Sequence, residues 1–278
     1  MNLLIGQVCY DIYKDSNLIV PGGGILHNAY HLQKLGCNPK LITRIGERNK
    51  KVFLEFFEKN DISIVRKFLI KEGNSASIDI FTLKSGDVKV TNLVKGVWKN
   101  FYIDKEEEDY IKRSDNIHLV LVEEIVSEFN RLCYEHKFEN AFVSVDLLDM
   151  RYSSLKDLNK LLKFIDIAFI GWKGSPKDRA IREIEKIAEN KKVIIIITFG
   201  EKGVEVINSK EGKIQLDSYK VKKVKVKENT NGCGDAFISY FLSEYWKSQD
   251  VKRAIRNGMI GGKKATFWKF ALPDFAYN

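Results

Sequence analysis

The sequence predicts a three-layer α/β/α domain with a mostly parallel central sheet and a small β lid. Short apolar runs typical of buried strands alternate with segments of helical periodicity along most of the 278-residue chain. Residues 75–97 break this alternation with two segments of period 2 joined by a turn, the pattern of a hairpin. We therefore expect a single domain over residues 1–278, with a lid formed by about 12–20 and 75–97.

Composition is that of an ordinary globular protein, with 30% charged and 44% hydrophobic residues. The length allows a large core without disulfides. Cys9, Cys37, Cys133 and Cys233 lie far apart, with no Cys-x-x-Cys pair and no histidine cluster. This argues against a zinc site or a disulfide framework and for a reducing interior. No apolar run is long enough to cross a bilayer, so we expect a cytoplasmic protein with no membrane partner.

The net charge of +9 raises the question of nucleic acid binding. The lysines are spread over the whole chain, however, and their densest run, Lys220–Lys227, alternates with valines. That alternation predicts a strand with a solvated face, and we expect no nucleic acid partner. The positive charge would still favour anionic ligands such as ATP.

The N-terminal elements begin with a buried strand at Leu3–Cys9 that ends near Asp11. A glycine-rich turn at residues 21–24 leads into a helix that stops at Gly36. A strand at Lys40–Ile45 and a helix at Val52–Phe57 complete this part.

The hairpin consists of residues 77–83 and 88–90, joined by a turn at 84–87. The α/β alternation then resumes. It predicts strands at Ile117–Val122, Ala141–Val145, Ile167–Ile170 and Val193–Thr198, and helices at Lys105–Lys112, Val126–His136, Ser154–Phe164 and Lys177–Asn190. We expect Asp104 to open the first of these helices.

Residues 229–237, Asn-Thr-Asn-Gly-Cys-Gly-Asp-Ala-Phe, place a glycine-rich turn at the start of a helix. The helical face continues with apolar side chains at Phe237, Tyr240, Phe241 and Tyr245. Unpaired N–H groups at such a helix start attract phosphate. Two interpretations of Asp235 fit these residues equally: it deprotonates a hydroxyl that attacks the phosphate, or it caps the helix.

Polar residues and glycines also follow the predicted strands. Asp11, Asp146, Gly171 and Thr198 come at strand ends, where ligands bind in open α/β sheets. The turn Thr198-x-Gly200-x-x-Gly203 would let a nucleotide approach the backbone closely. A tight hairpin would show the same pattern.

Taken together, these turns resemble the signatures of the ribokinase-like (PfkB) carbohydrate kinases. The resemblance rests on residues 22–36 (Gly-Gly-x-x-x-His-x-Ala-x-x-Leu-x-x-Leu-Gly), 198–203 and 229–237, whose order and spacing cover nearly the whole chain. It implies an ATP-dependent transfer of the γ-phosphoryl group to a primary hydroxyl of a sugar or sugar-amine.

Site roles follow from this resemblance position by position. It implies that Asp235 is the base, that the N–H groups of Gly232, Cys233 and Gly234 form an anion hole, that Asp11, Gly22, Gly23 and His27 lie on the substrate side, and that Thr198, Gly200, Gly203, Asn257 and Lys264 line the nucleotide.

A narrower resemblance is to the fructoselysine 6-kinase branch, which phosphorylates a sugar joined to an amino-acid amine. It rests on short matches at Gly6-x-x-Cys9-x-Asp11-Ile12-Tyr13, Gly96-Val97, Asp146, Ala254-Ile255-x-x-Gly258 and Lys264.

Three departures from the family pattern bear on the chemistry. His27 stands where the family usually has Asn; it either changes a sugar hydrogen bond or is a partly buried helix residue. Asn229 replaces an Asp that helps to bind a monovalent cation, which argues against potassium activation. The Asn-x-x-Glu motif is replaced at residues 171–174 by Gly-Trp-Lys-Gly. Mg²⁺ would then be held mainly by the ATP phosphates and water, with no metal site in the protein.

Two alternatives to a sugar kinase stay open. One is a nucleoside kinase, since the fold family includes these enzymes. The other is a catalytically silent member that binds a sugar or nucleotide as a sensor; the losses at Asn229 and 171–174 favour it, and the retention of Asp235 disfavours it. The family resemblance also allows a homodimer through the lid.

Overall fold

Strands and helices alternate along most of the chain in the computed structural model, in the order that the apolar pattern predicts. The structure describes residues 1–65, 69–150, 152–222 and 228–277. The strands are β1 (Asn2–Ile5), β2 (Cys9–Tyr13), β3 (Leu18–Gly22), β4 (Lys40–Ile42), β5 (Ile45–Gly46), β6 (Ser63–Ile64), β7 (Ile70–Lys71), β8 (Ala76–Thr82), β9 (Val88–Val94), β10 (Asn116–Val120), β11 (Phe142–Asp146), β12 (Ile167–Gly171), β13 (Ile194–Thr198), β14 (Val204–Asn208) and β15 (Gln215–Tyr219). The α-helices are α1 (Gly24–Lys34), α2 (Lys51–Lys59), α3 (Lys105–Lys112), α4 (Glu123–Tyr134), α5 (Leu155–Leu161), α6 (Arg179–Ala188), α7 (Cys233–Ser248) and α8 (Val251–Ala265).

These elements belong to two compact units. Unit one comprises the described residues of 1–102 and 224–278, and unit two comprises those of 103–223. Unit one carries β1 to β9 with α1, α2, α7 and α8, whereas unit two carries β10 to β15 with α3 to α6. That the whole chain acts as one domain stays a prediction.

In unit one, β1, β4 and β6 pair as parallel strands. Leu4 of β1 lies opposite Leu41 of β4, which in turn lies opposite Ile64 of β6. Leu4 and Leu41 are fully buried, as is usual in parallel sheets, whose faces are covered by helices. Helix α7 packs against both α1 and α8, so the glycine turn at its start is anchored to the core of this unit.

A second sheet in unit one has the strand order β3-β2-β8-β9. Strands β8 and β9 form the antiparallel hairpin that the period-2 pattern predicts. Strand β2 pairs in parallel with β8 and antiparallel with β3, so the segment near residues 12–20 does contribute strands to this small sheet.

The position of Asp11 differs from the prediction. The first strand ends at Ile5, and Asp11 lies inside β2 of the small sheet, not after a strand of the main sheet. Gly6 passes so close to helix α1 that a Cβ there would lie 2.6 Å from the Cβ of Ile25. The chain changes sheets just after this contact. Val8 is nevertheless fully buried, so the apolar run that suggested one long strand continues through the crossing.

In unit two, β10 to β13 are parallel neighbours, and β14 and β15 continue the sheet as antiparallel strands. Asp146, Gly171 and Thr198 are the last residues of β11, β12 and β13, and Gly171 lies opposite Thr198. They therefore share the carboxyl edge of these strands, as predicted for this part of the chain.

Helix starts in unit two follow the sequence closely. Asp104 accepts a hydrogen bond from the N–H of Glu107, whose side chain bonds back to the Asp104 N–H, and α3 has the predicted bounds. Ser154 and Asp157 form the same reciprocal cap at α5. The bounds of α4 and α6 differ from the predicted ones by a few residues.

The predicted lysine-rich strand at Lys220–Lys227 falls largely at residues 223–227, outside the described residues; the last strand described before it is β15. Among the described residues, no helix combines the length and apolar character that crossing a bilayer requires.

Candidate active site

The turn before α7 has a backbone that requires glycine at Gly232. Its φ angle is +73°, and a Cβ there would overlap the backbone carbonyl of Ala271. Gly234, two residues on, faces open space: a Cβ at this position would meet no atom within 4 Å. The turn is therefore packed tightly at Gly232 and open at Gly234. The N–H of Cys233, the first residue of α7, donates to the carbonyl of Thr230 at 3.3 Å.

Asp235 lies in the first turn of α7 but does not cap it. Gly232 occupies the N-cap position, and no side chain makes a capping hydrogen bond there. The Asp235 carboxylate instead lies 2.7 Å from Nδ1 of His27, measured at Oδ2. With 17% of its side chain exposed, Asp235 remains accessible from solvent. The capping interpretation of Asp235 is thus wrong, and the carboxylate is available for chemistry.

His27 lies between two carboxylates. It projects from the buried face of α1, is 3% exposed, and has Asp235 on its Nδ1 side. On its other side, Nε2 is 3.6 Å from Oδ2 of Asp11, a buried residue of β2. The sequence placed His27 on the substrate side, as a departure from the family pattern, and its link to Asp235, 208 positions away, appears only in the fold.

Burial and charge shift the pKa values of this cluster. Burial raises the pKa of Asp11 to about 6, against the opposing pull of His27, the Cys9 thiol and the Gly23 backbone. Burial acts to lower the pKa of His27, but the hydrogen bond and charge of Asp235 and the charge of Asp11 outweigh it, and the net shift is upward. One turn along α1, burial and the neighbouring His27 lower the pKa of His31 to about 3.

The glycines of the first motif shape the backbone around Asp11. A Cβ on Gly22 would overlap the Asp11 carboxyl group, so the absence of a side chain makes room for it. Gly23 has φ +96° and occupies the N-cap of α1, where its carbonyl accepts the N–H groups of Leu26 and His27. The motif therefore places Asp11 and His27 together.

Contacts that sequence reasoning missed hold the turn before α7. The hydroxyl of Tyr13 accepts hydrogen bonds from the Asn231 side chain at 2.7 Å and from the Ala271 N–H at 2.9 Å. Asn229 accepts from the N–H of Asn231 and donates to the carbonyl of Lys269, both at 2.8 Å. Residues 269–271 carry no motif, so their part in holding the turn was not predictable from the sequence.

The turn also touches the small sheet. The N–H of Thr230 donates to the carbonyl of Gly86, in the loop between β8 and β9, at 2.9 Å. Burial raises the pKa of the Cys233 thiol to about 12, so this residue of the turn is neutral at physiological pH.

The predicted nucleotide turn lies in unit two. Thr198 ends β13, and Gly203 precedes β14, which pairs antiparallel with β13, so the segment is a tight hairpin. Gly203 has φ +121°, and a Cβ there would lie 2.5 Å from the Tyr219 carbonyl. Gly200 has φ +59° and nothing within 4 Å of a built Cβ, which leaves its surface open. Hairpin geometry thus accounts for Gly203, while Gly200 presents free space.

Asn257 and Lys264 join α8 to α7. Nδ2 of Asn257 donates to the carbonyl of Tyr240 at 2.6 Å. Nζ of Lys264 lies 3.3 Å from the Tyr240 hydroxyl and 5.2 Å from the centre of its ring. Their role toward a nucleotide stays a prediction.

Loop 171–176 in unit two carries no carboxylate in place of the Glu of the family motif. The indole Nε1 of Trp172 donates a hydrogen bond to the Asp178 carboxylate at 2.9 Å. Nζ of Lys202 donates one to the carbonyl of Gly174 at 2.9 Å. Lys173 is exposed. Across the described residues, no group of three or more His, Cys, Asp or Glu side chains is placed to hold a metal ion. The residues present therefore do not form a cage for Mg²⁺.

Comparison with known proteins identifies the family of this chain. The pfkB family of carbohydrate kinases matches residues 15–260. A nucleoside kinase of Methanocaldococcus jannaschii is 27% identical over 249 residues, which cover 88% of this chain and 78% of that protein. The fructoselysine 6-kinase of Shigella flexneri is 25% identical over 258 residues, 91% of this chain and 92% of that one.

The fold is also that of a solved kinase. The crystal structure of an adenosine kinase from Sinorhizobium meliloti superposes with a TM-score of 0.81 at 14% identity, covering 99% of this chain and 96% of that one. The predicted ribokinase-like α/β fold is confirmed. Kinases of this family use ATP, typically with Mg²⁺. The chain, a sugar or nucleoside kinase, belongs to the pfkB family of carbohydrate kinases.

Proposed function

We propose that the protein transfers the γ-phosphoryl group of ATP to a primary hydroxyl of a sugar or sugar-amine, with Asp235 as the base. The observation that carries this proposal is the position of Asp235 in the first turn of α7, directly after the open face of Gly234 and with Oδ2 held by His27. A phosphoryl group at the helix start would lie beside a carboxylate able to take the proton of an attacking hydroxyl.

The reaction needs little from Asp235 beyond position. In a loose phosphoryl-transfer transition state the bond to the leaving ADP is largely broken before the new O–P bond is complete. The hydroxyl proton then passes readily to a carboxylate that is held in place. The backbone N–H groups of Gly232, Cys233 and Gly234 would stabilise the charge on the transferred group. Removal of one such donor typically costs on the order of 3 kcal/mol of transition-state stabilisation.

Substrate and nucleotide would occupy different parts of the chain. Asp11, Gly22, Gly23 and His27 are proposed for the acceptor side, and the buried Asp11 carboxylate could accept hydrogen bonds from sugar hydroxyls. Thr198, Gly200 and Gly203, with Asn257 and Lys264, are proposed for ATP. The small sheet would act as a lid that excludes water, a competing acceptor.

Mg²⁺ would arrive with ATP, held by phosphate oxygens and water, because the described residues offer no carboxylate cluster for it. Potassium activation is not expected. Asn229 already uses its amide on the N–H of Asn231 and the carbonyl of Lys269, and as a neutral group it adds no negative charge for a cation.

A nucleoside acceptor is the second candidate, favoured by the 27% identity to the nucleoside kinase of Methanocaldococcus jannaschii. The two candidates share the same base and differ in the acceptor. A panel of sugars, amino sugars, fructosamines and nucleosides, assayed for ADP release with Mg²⁺, separates them. Failure of every acceptor would favour a silent binding protein of the same fold.

The base assignment is tested by Asp235→Asn, which keeps the shape and removes the proton acceptor. We expect a loss of kcat on the order of 10²-fold or more, with folding and ATP affinity retained. Asp109→Asn is the matched control, since the Asp109 side chain is 61% exposed on α3 and should leave the rate unchanged. Wild-type rates in the Asp235 variant would disprove the assignment.

A further inference from the structure

His27 lies between the proposed base and a second carboxylate, and the proposed reaction gives this histidine no role of its own. Its Nδ1 lies 2.7 Å from Oδ2 of Asp235, and its Nε2 lies 3.6 Å from Oδ2 of Asp11. Within the described part of the chain, the hydrogen bond from His27 is the one that the Asp235 carboxylate receives, and it leaves Oδ1 free. A single imidazole therefore fixes one oxygen of the proposed base.

Hydrogen-bond chemistry identifies the charge state of this imidazole. A neutral imidazole carries one N–H, so one of its nitrogens would point a lone pair at a carboxylate. An imidazolium presents N–H to both Asp235 and Asp11. Nε2 is buried and makes no hydrogen bond with the described residues, and 3.6 Å is too long for one, so its attraction to Asp11 is electrostatic.

Two other titratable groups near His27 carry no positive charge that could balance the two carboxylates. His31, on the next turn of α1, has its pKa lowered to about 3 and is neutral. Cys9 on β2, whose thiol is 3.5 Å from Asp11, has a raised pKa and is also neutral. Two close carboxylates without a cation would repel each other, and one of them would take up a proton.

We propose that His27 is a positioning residue that acts as an imidazolium clamp between Asp11 and Asp235 and orients Oδ1 of Asp235 toward the acceptor hydroxyl. This proposal rests on the proposed function. In the reaction, the hydroxyl O–H bond breaks, its oxygen bonds to the γ-phosphorus, and the bond from that phosphorus to ADP breaks. The proton goes to Asp235 and then to water, while His27 keeps its own proton throughout.

The clamp predicts two pH limits on activity. Activity is lost at acid pH as Asp11, whose pKa is raised to about 6, becomes protonated. It is lost at alkaline pH as His27 gives up its proton, at a pKa above the ordinary histidine value because of Asp235 and Asp11. Without the imidazole the alkaline limit should disappear, whereas the acid limit should remain and move to higher pH, because the charge of His27 lowers the pKa of Asp11.

The test is the pH profile of kcat/KM for wild type and His27→Asn, with the best acceptor from the screen. The Asn amide can still donate to Asp235 but has no charge. We expect a fall of about tenfold near neutral pH, since charge-assisted hydrogen bonds are roughly twice as strong as neutral ones, and the alkaline limit should disappear. His136→Asn is the matched control, because the His136 side chain is 70% exposed; its profile should match wild type.

A second measurement needs no active variant. Imidazole nitrogen spectra of the wild-type protein should show His27 with both nitrogens protonated at neutral pH, and His31 neutral. An unchanged alkaline limit in His27→Asn, or a neutral His27 in the spectra, would overturn the clamp. If wild type phosphorylates no acceptor, the proposed function fails instead, and the spectra alone still decide the charge of His27.

Discussion

Asp11 shows at the residue scale how a site residue can oppose folding. It is buried, and its pKa rises from the ordinary value of 3.8 to about 6 because burial disfavours the charged form. A carboxyl group whose pKa is raised in the folded protein stabilises the fold below its unfolded pKa and loses that contribution as pH rises through about 6. At neutral pH the ionised Asp11 therefore lowers the free energy of unfolding, a trade-off between stability and activity that is common at functional sites.

Asp11→Asn should reverse this cost. We expect the free energy of unfolding at neutral pH to rise by about 2–3 kcal/mol, the equivalent of the pKa shift, while activity falls sharply. At pH 4 the gain should vanish, because Asp11 is then protonated in the folded state. Denaturant titrations at both pH values measure this, with Asp109→Asn as the control. An equal gain at both pH values would mean that the ionisation of Asp11 is not the cause.

Residues such as these mark what the sequence could and could not predict. The motif at 229–237 drew attention to Asp235 but left it between a base and a helix cap, and only the resemblance of all three turns to a kinase family implied the base. The pairing of Asp235 with His27 was not predictable, since it joins α7 to α1 through the fold. Asp11 was predicted from a strand end and from the family resemblance, but it was placed after the wrong strand because the buried residue Val8 extends the apolar run.

At the scale of elements, two glycines at the start of α7 differ in role: one is required by the backbone conformation and the other by the proposed chemistry. Gly232 has a left-handed backbone and is packed on Ala271, whereas Gly234 has an ordinary helical position and open space around it. The same substitution to alanine therefore has opposite effects on stability at positions two residues apart.

Gly232→Ala should destabilise the protein by about 1–3 kcal/mol through backbone strain, in addition to the clash with Ala271. Gly234→Ala should be neutral or stabilising by up to about 1 kcal/mol, as for glycine in a helix. Both should lose phosphoryl transfer, the second because its methyl group occupies the space proposed for phosphate. Thermal unfolding and ADP release measure the two effects; full activity in a stable Gly234→Ala would place the phosphate elsewhere.

Elements were the part of the fold that the sequence predicted best. Helices with a polar cap, such as α3 at Asp104, had the predicted bounds because the cap itself is in the sequence. The strand pairing of the small sheet was not predictable, since β2 pairs in parallel with β8, more than sixty residues away. Periodicity identifies which face of a strand is buried but not which strand lies beside it.

At the scale of the whole molecule, the small sheet offers a surface for self-association. Its edge strands β3 and β9 expose Ile19 and Val94, whose exposed fractions are 56% and 54%. Exposed apolar residues on edge strands favour pairing with another chain. This surface is where a homodimer through the lid would form.

The lid dimer is tested by Ile19→Lys combined with Val94→Lys. If the lid pairs two subunits, the wild-type protein should sediment as a dimer and the double variant as a monomer with the same thermal stability. Lys51→Glu, at an exposed position of α2, serves as a control for a surface charge change. A wild-type monomer, or a variant that remains dimeric, would exclude this interface.

The carbonyl of Ala271, which packs against Gly232, bears on when the site can form during protein synthesis. The Ala271 N–H and the Lys269 carbonyl also hold the turn, through Tyr13 and Asn229. Domains assemble as the chain emerges from the ribosome, yet a nascent chain that stops short of Ala271 already contains every residue proposed for catalysis. It lacks the segment that shapes them, so we expect the growing polypeptide to gain the proposed phosphoryl-transfer activity only after translation has passed this point.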